Sequence, residues 1–580
     1  MPPTSGSRVT SLTTFSLKVD GEALPGTISI VSVNIVHELN RIPSAHVVLY
    51  DGDAAKQDFV VSSGEQLVPG KRLEIEGGYD RHESLLFTGI ITGHRIKVRR
   101  AGDSVLHIEA RGPAFRMALA RKSRYFTELS DGELFEEIIG GYDGLTPQVA
   151  ATSIKHPEIV QYRVSDWDLV VSRAESIGLY CNPDGGSFAI AAPDLGQEPV
   201  LTLTYGVDVF DLDLEMDART QAQAVTASAW DPTNQEVIDA EVEDVTAPAQ
   251  GNLTGSDLAQ AAGPERVELR HSGTLGQQEI DAWAEAAMLK SRFAKIRGAV
   301  RCQGNEKLKP GTIVELKGMG GRFNGKAFVA GVRHVLGDGD WQSAIQVGLP
   351  QNWHREAFPA DAQPGAGLRT AIDGLHTGVV TQLQDDPAGE DRIRVRLPLV
   401  GAGDDGVWSR LATLDAGQER GTVFRPEIGD EVIVGFVNDD PHKPVVLGML
   451  HSSNKPAPIA GSDDNHQKGL VTRSGLKLVF DDEKASLTIE TPKGKQIAVD
   501  DDAGSIEVSD ENGNKLTMKS DGIALESAGN ITLKASGDLS VEGTNLKIKA
   551  SASAAVEGSA GASLKSSGTT EVKGSLVQIN

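Results

Sequence analysis

The chain has 580 residues and a formal net charge of −25, with hydrophobic residues at 39% and aromatic residues at only 5%. This length predicts several domains. The excess of acidic side chains argues against nucleic-acid binding through clustered Lys and Arg, and against docking on an anionic membrane by charge alone. No apolar run reaches the roughly 18 residues that a transmembrane helix needs.

Residues 1–15 contain no apolar stretch, which indicates synthesis in the cytoplasm without a secretory signal peptide. The two cysteines, Cys181 and Cys302, fit a reducing compartment and match neither a disulfide framework nor the spacing of metal ligands. No cofactor and no protein-held metal site are therefore predicted.

The first part of the chain predicts a β-rich domain, residues 1–112, followed by a mixed α/β insertion, residues 113–197. Polar and apolar residues alternate in the first segment, as in half-buried strands. In the insertion, Ser130 and Glu133 form a capping-box pattern ahead of an apolar helical face.

A second helix of the insertion is predicted to begin at Ser165 and to end at Gly178. It contains three carboxylates, Asp166, Asp168 and Glu175. Acidic side chains interact favourably with the N-terminal end of a helix dipole. These three are therefore predicted to serve the helix N-terminus or to face solvent, and not to catalyse a reaction.

Residues 198–354 predict a second β-rich domain, because the alternation typical of strands returns there. That residues 1–112 and 198–354 each form a hub-type barrel is implied by the family resemblance described after the repeat. One long helix is predicted near residues 277–297. The polar segment 247–263 is predicted to be a loop, and residues 355–372, which contain several Pro and Gly, a linker.

Residues 373–452 predict a small barrel of five short strands, which fits an OB-fold in size and strand number. The candidate strands are residues 378–383, 393–397, 406–411, 431–436 and 445–450. A connector, residues 453–475, is predicted to follow the barrel.

The strongest pattern is a repeat in the C-terminal segment, residues 476–580. Apolar residues occur there in pairs with one polar residue between them, first every 9–11 residues and then about every eight. A single strand of this kind cannot bury its apolar face, so its stability must come from stacking. Three intertwined chains would form a three-sided rod, with the apolar pairs pointing to its axis.

The predicted fold class is mainly β, with hub-type β-barrel domains and a few helices, an OB-fold barrel, and a C-terminal intertwined triple-stranded β-helix needle in a homotrimer. Aromatic residues are absent after Phe480, which fits a slender needle core. The residues predicted to form that trimer core are Ile506, Val508, Leu516, Met518, Ile523, Leu525, Ile531, Leu533, Leu539, Val541, Leu546, Ile548, Val556, Leu564 and Val572.

Several segments resemble known spike proteins. The barrel is similar to the OB-fold of phage baseplate spikes in residues 378–381, 391–398, 425–432 and 440–448. The chain also resembles the valine-glycine repeat (VgrG) family in residues 161–167, 174–178, 322–326 and 332–334. Residues 40–44 and 49–56 look most like the Vgr-type spikes of extracellular contractile injection systems, and type VI secretion spikes are the alternative.

The resemblance implies a bacterial structural protein and not an enzyme: the trimeric central spike of a contractile injection particle. Three copies would adapt a hexameric inner tube to a needle that punctures the target envelope. The implied partners are further copies of the chain, inner tube and baseplate hub proteins, a PAAR-repeat tip protein and effector cargo. Nucleic acid is not an implied partner, and the target membrane is touched only transiently. The tip protein is expected to bind at Leu576, Val577, Gln578, Ile579 and Asn580.

Two other functions are weighed against the spike. A carbohydrate-active enzyme on a single-chain β-helix would need carboxylates in one groove, but the acidic runs 481–483 and 500–502 are predicted to be solvated turns. Nucleic-acid binding by the barrel would use Arg392, Arg394 and Arg396, which are predicted to form salt bridges to a neighbouring domain or subunit. No His follows His466, so the His-x-His iron site of some phage needles is not expected, and axial ions stay an open question.

Overall fold

The computed structural model describes residues 12–99, 104–359, 364–368, 370–403 and 405–579 of the chain. The chain divides into two compact units, Met1–Ala371 and Ile372–Asn580. Within the described ranges, no helix has both the length and the apolar character needed to cross a membrane.

The first unit begins with seven strands whose residues alternate between core and surface. They are β1 (Thr13–Val19), β2 (Glu22–Ala23), β3 (Ile30–Glu38), β4 (Ser44–Tyr50), β5 (Arg72–Tyr79), β6 (His82–Lys97) and β7 (Val105–Arg111). Their inward residues, Leu49, Leu73, Ile75 and Leu106 among them, are fully buried in one core.

The mixed insertion follows, with two helices packed between short strands. Its elements are β8 (Arg121–Ser130), α1 (Asp131–Gly140), β9 (Thr146–Val149), β10 (Lys155–Ser165), α2 (Asp166–Ser176), β11 (Tyr180–Asp184) and β12 (Ser187–Ala191). Both helices begin where predicted. The Ser130 hydroxyl accepts from the Glu133 amide while Glu133 accepts from the Ser130 amide, and the Ser165 hydroxyl accepts from the Asp168 amide.

The rest of the first unit returns to strands. They are β13 (Leu201–Thr204), β14 (Val209–Met216), β15 (Ala224–Asp231), β16 (Glu236–Val242), β17 (Arg266–His271), β18 (Ile296–Gln303), β19 (Ile313–Lys317), β20 (Gly325–Gly337) and β21 (Asp340–Val347). Three helices accompany them: α3 (Gly255–Ala262), α4 (Gln277–Phe293) and α5 (His354–Ala357).

Three predictions for this region need correction. Helix α3 lies inside the segment predicted as a loop, because Thr254 and Asp257 form a capping box that starts a short Ala-containing helix. Helix α4 ends at Phe293, and Arg297 already belongs to the next strand. The predicted linker also contains most of α5, as well as a 3₁₀ turn at Pro364–Gly367.

The two predicted hub barrels share one sheet of 13 strands. Its order is β14-β18-β21-β20-β3-β4-β7-β6-β5-β1-β2, and β19 and β13 branch from β20. The antiparallel pairing of β20 with β3 joins the two regions. Trp341 of β21 is fully buried in the core of the first region, where it stacks on Tyr79 at 5.4 Å between ring centroids. The Tyr79 hydroxyl donates to the Gly304 carbonyl at 2.9 Å.

The two cysteines lie in different cores of this unit. Both are buried and free, so no disulfide joins them. Burial raises the pKa of the Cys302 thiol to about 12, which keeps it protonated and unreactive at neutral pH.

The second unit begins with the predicted closed barrel. Its strands, in barrel order, are β22 (His376–Gln382), β23 (Ile393–Arg396), β24 (Val407–Leu411), β28 (Pro444–Met449) and β27 (Glu431–Phe436), which pairs back with β22. A small hairpin, β25 (Ala416–Gly417) and β26 (Arg420–Gly421), precedes β27. The interior is filled by aliphatic side chains such as Val380, Ile393, Val395, Val432 and Val446, all buried.

A second sheet follows the barrel, with seven strands in sequence order. They are β29 (Gln467–Val471), β30 (Lys477–Asp481), β31 (Ser486–Glu490), β32 (Gln496–Asp500), β33 (Ser505–Ser509), β34 (Lys515–Lys519) and β35 (Gly522–Glu526). Each strand pairs antiparallel with the next, so the sheet is a meander within one chain.

This meander differs from the sequence prediction in two ways. Strand β29 lies inside the predicted connector, so the sheet begins about ten residues earlier than residue 476. The main-chain bonds up to Glu526 also run within one chain, whereas the repeat predicted bonding between chains. The tail, residues 527–579, contains no strand among its described residues.

Candidate functional site

The C-terminal sheet carries two columns of apolar side chains on one face. Each five-residue strand contributes its second and fourth residues, and the antiparallel register places these residues directly opposite one another. One column is Leu478, Ile489, Ile497, Val508, Leu516 and Leu525, and the other is Phe480, Leu487, Val499, Ile506, Met518 and Ile523. Opposed residues of this kind are the unit of sheet stabilisation.

The other face of the sheet carries mainly polar and charged side chains, and its apolar residues are the small or short Val479, Ala498 and Ala524. Its strands carry residues such as Thr488, Glu507 and Thr517 between the apolar positions. Lys477 pairs with Glu490 at 3.2 Å, and Lys515 pairs with Glu507 at 2.5 Å. The sheet is thus amphipathic, with one face suited to water and one suited to burial.

The apolar face is uncovered in the single chain. Ile489 and Ile497 are 43% and 45% exposed, and no helix or loop of the second unit's described residues forms a core over them. An open cavity of about 960 Å³ lies over this face, lined by Ile489, Ile497, Val508, Leu516 and Leu525 among others. A contiguous apolar surface of this kind marks an interaction site.

The tail continues the pattern without any ladder of its own. Every predicted axial residue in it is more than half exposed: Ile531, Leu533, Leu539, Val541, Leu546, Ile548, Val556, Leu564 and Val572. Among the described residues of the tail no backbone–backbone hydrogen bond is formed, which leaves most of its amides and carbonyls open to other strands.

The expected tip residues lie at the far end of this tail. Leu576 and Ile579 are 82% and 89% exposed, Val577 is 46% exposed, and Gln578 is exposed as well. Asn580 lies outside the described residues. Three neighbouring aliphatic side chains therefore form a small apolar group near residue 579.

The acidic runs of the C-terminal sheet lie at its hairpin turns. Asp501 and Asp502 are exposed, and Asp481 accepts from the Lys484 amide within its own turn. Among the described residues of the chain, no group of three or more His, Cys, Asp or Glu side chains is placed to hold a metal ion.

Two of the three arginines, Arg392 and Arg394, form ion pairs with loop residues of their own barrel domain, which corrects for these two the prediction of bridges to a neighbouring domain or subunit. Arg392 holds Asp386 through Nε and Nη2, at 2.6 to 3.1 Å. Arg394 pairs with Asp405 at 3.2 Å and lies over the Trp408 ring at 5.9 Å. These contacts occupy two arginines and one aromatic ring that a nucleic-acid surface would use, and the Nε of Arg396 is buried without a hydrogen-bond partner.

Two of the three carboxylates of helix α2, Asp166 and Asp168, lie in its first turn as predicted, but Asp166 and Glu175 are buried and do not face solvent. Asp166 is fully buried, and it accepts from Lys122 at 2.7 Å, Tyr142 at 2.6 Å and Gln161 at 2.8 Å. Burial alone raises the pKa of Asp166, but these hydrogen bonds outweigh burial and hold that pKa below its ordinary value of 3.8. The group is an ionised structural anchor.

Glu175 joins four elements of the first unit. Its Oε1 accepts from the Asn40 side chain at 2.9 Å and from the Lys290 ammonium at 3.1 Å, and its Oε2 accepts from the His354 amide at 2.7 Å. His354 also bonds to Asp168 at 2.9 Å. Four elements therefore meet at one buried carboxylate: the β3–β4 turn, α2, α4 and α5. No local sequence pattern predicts this junction.

Comparisons with known proteins place this architecture in a class. Residues 376–451, the closed barrel, match the family model of the type VI secretion system/phage-baseplate injector OB domain. Two curated relatives are type VI secretion system spike proteins: VgrG5 of Pseudomonas aeruginosa, 36% identical over 136 residues, and VgrG3 of Vibrio cholerae, 33% identical over 84 residues. The barrel thus matches the OB domain of type VI secretion and phage-baseplate injectors, and the relatives are VgrG spike proteins, which confirms the resemblance to VgrG and the mainly β fold with an OB barrel.

The family model that matches most of the chain is the Alg8 N-terminal domain, over residues 9–338. This match spans more than half of the chain, and the chain belongs to this family. The matches to VgrG5 and VgrG3 cover 21% and 14% of this chain, and only 16% and 8% of those relatives.

Two solved structures have a similar outline. The 43 kDa tail protein of prophage MuSo2 from Shewanella oneidensis is 12% identical, with a TM-score of 0.45, over 58% of this chain and 98% of that protein. A chain of the Francisella PdpA-VgrG complex is 9% identical, with a TM-score of 0.37, over 89% of this chain and 88% of that one.

The Glu175 junction generates a stability prediction. Lys290→Met keeps the apolar stem but leaves the Glu175 carboxylate buried without its cation, so the first unit should lose about 3 kcal/mol of unfolding free energy. The matched control is Lys309→Met, because Lys309 pairs with Asp184 at 2.9 Å with both side chains more than 40% exposed. That variant should lose less than about 1 kcal/mol. Denaturant unfolding measures both, and equal losses would contradict the role of the junction.

Proposed function

We propose that three copies of this chain associate through the apolar columns and the tail to form the needle of a contractile injection spike. The observation that carries the proposal is the pair of uncovered columns in strands β30 to β35, continued by the tail. The spike would lead the inner tube and puncture the target envelope when the sheath contracts. In this reading the chain is structural and catalyses no reaction.

Burial of the two apolar columns would provide a substantial free energy of association. Full burial of a side chain such as Ile489, now 43% exposed, contributes roughly 1 kcal/mol. Twelve such positions per chain in the two columns give a gain on the order of 10 kcal/mol per chain, before the entropy of ordering the tail is subtracted. A monomer that left this face in water would be prone to association with other surfaces.

Three chains are favoured because each repeat supplies one short strand and one turn. Three strands of this length enclose a narrow axis that slender aliphatic side chains can fill, and closed symmetry satisfies every copy equally. The side chains available are Leu, Ile, Val and Met, and the sequence has no aromatic residue after Phe480. A larger ring would leave a channel that these side chains could not fill.

Two observations bear on the type of injection machine, and each favours a different machine. Residues 40–44 and 49–56 resemble the spikes of extracellular contractile particles, and we favour such a particle. The curated relatives are spikes of type VI secretion systems, which support the alternative machine. In either case we expect contacts with inner tube and baseplate hub proteins and with effector cargo, and no role for nucleic acid.

The first experiment is the solution mass of the purified chain by light scattering over a dilution series. One chain has a mass of 61.5 kDa, and a closed trimer would have roughly 185 kDa. A trimer that persists on dilution is expected, because the needle strands of the three copies would be interlocked. A folded monomer would contradict the needle and would favour the alternative of a single-chain β-helix enzyme acting on carbohydrate.

The axial residues can be tested by moving one charge between neighbouring positions. Leu533→Asp should prevent the tail from forming a stable trimer, because three unpaired carboxylates would be buried at one level. Thr532→Asp introduces the same charge at the adjacent polar position and should leave the melting temperature within about 2 °C of the wild type. Thermal unfolding of both variants is the measurement, and a Leu533 variant that melts like the wild type would contradict the inward assignment.

The tip residues are proposed to bind a PAAR-repeat protein through the apolar group of Leu576, Val577 and Ile579. Replacing these three residues with Ser should abolish capture of a purified PAAR-repeat protein, because the apolar contact is lost. The melting temperature of the spike should stay unchanged. Thr570→Ser, outside the tip residues, is the control and should retain capture. Undiminished capture by the triple Ser variant would contradict the proposed tip surface.

A further inference from the structure

The tail carries a second pattern, of charge, that the apolar repeat does not require. The residue after each second apolar position is charged, and its sign alternates along the tail. These residues are Lys534, Glu542, Lys549, Glu557 and Lys565, which follow Leu533, Val541, Ile548, Val556 and Leu564. Glu526, the last residue of β35, extends the alternation by one step, and Lys573 ends it.

The same position shows no alternation in strands β30 to β33, the earlier part of the sheet that pairs within the chain. There the corresponding residues are Asp481, Glu490, Asp500 and Ser509. In that part the register is already set by tight hairpins, since each strand is joined to its neighbour by a short turn. The alternation begins at Lys519, the last residue of β34, and continues through Glu526 into the tail, so it spans the last hairpin of the meander and the segment without pairing of its own.

The five tail charges are available for contacts between chains. All five side chains are exposed. Among the described residues, none of them forms an ion pair within its own chain, whereas Lys573 pairs with Glu571. Charged residues on strands interact mainly with the residue directly opposite on the adjacent strand.

The geometry of a three-chain rod determines which residues become neighbours. Threefold symmetry places the same repeat of the three chains at one level, on three different sides of the rod. The strand stacked on it, about 4.8 Å away along the axis, then comes from a neighbouring chain and from the next repeat. Lys534 of one chain would thus lie beside Glu542 of the next, and Lys549 beside Glu557.

The apolar positions alone cannot set this register. They recur every seven or eight residues and are all aliphatic, so a slip by one repeat replaces one Leu, Ile or Val with another. Such a slip preserves the buried columns but brings Lys beside Lys and Glu beside Glu. Like charges on adjacent strands are destabilising, and registers without a distinguishing pattern are prone to slippage.

We propose that the alternating charges Lys534, Glu542, Lys549, Glu557 and Lys565 form a ladder of ion pairs between copies of this chain, which selects the register of the three strands in the tail. This inference rests on the trimeric needle proposed above. It adds a specific role for exposed residues that lie outside the apolar core.

Two variants with opposite effects on the alternation test the proposal in the full-length chain. The double variant Glu542→Lys/Lys549→Glu keeps the composition and net charge but creates two like-charged contacts. The fivefold variant adds Lys534→Glu, Glu557→Lys and Lys565→Glu, which restores alternation among the five positions with their signs reversed. It adds one like-charged contact at Glu526 and removes the one between Lys565 and Lys573, so the number of like-charged contacts equals that of the wild type. The fivefold variant carries more substitutions than the double variant. If its dissociation temperature nevertheless recovers, the cause is the restored charge pattern and not the individual substituted positions.

The readout is the temperature at which the trimer dissociates, followed by light scattering at low and high salt. At low salt the double variant should dissociate at least about 5 °C below the wild type. This difference should fall by more than half in 1 M NaCl, where the screening length is about 3 Å. The fivefold variant should dissociate at the wild-type temperature.

Different results would overturn different parts of the argument. A trimeric wild type with an unaffected double variant, or a fivefold variant as weak as the double variant, would overturn the charge ladder and leave the needle intact. A wild-type chain that is monomeric in solution would overturn both the needle and the ladder.

Discussion

The C-terminal sheet and tail of this molecule depend on one constraint: a single five-residue strand can neither bury its apolar side chains nor pair its own backbone groups. Such a strand has two aliphatic side chains on one face and unpaired amides and carbonyls along both edges, and water solvates the first group poorly. In β29 to β35 the chain meets half of this requirement by pairing each strand with the next. The apolar face and the tail are left without partners in the single chain, and in the proposed trimer further copies of the same chain would supply both strands and aliphatic side chains.

The first unit has a different requirement. Its many strands and helices must be held together in one fold. The 13-stranded sheet links its two halves through β3 and β20, and Trp341 crosses from one half into the core of the other. At Glu175 and Asp166, buried carboxylates bind cations and amides from elements far apart in the chain. Buried ion pairs add little net stability but penalise alternative packings, because each misplaced element would leave a charge unpaired.

The sequence allowed reliable prediction wherever the structural cause is local. The helix starts at Ser130 and Ser165 follow from capping residues, and the five barrel strands were placed within two residues of their observed bounds. Helix α3 was missed because its capping box uses Thr254 and Asp257 in a short, polar segment. The partners of Glu175 could not be predicted, since Lys290 and His354 lie 115 and 179 residues away in sequence. Pairing within the chain up to Glu526 was also missed, although turn glycines with positive φ, such as Gly494 and Gly513, mark these hairpins.

The alternation of charge along the tail has a consequence for how such needles change length during evolution. Duplicating or deleting one repeat would preserve the apolar pattern but would place two like charges in adjacent repeats. Duplicating or deleting two repeats, about sixteen residues, would preserve both patterns. On this basis the viable lengths form a series with a step of two repeats, and homologous tails should differ by even numbers of repeats more often than by odd numbers.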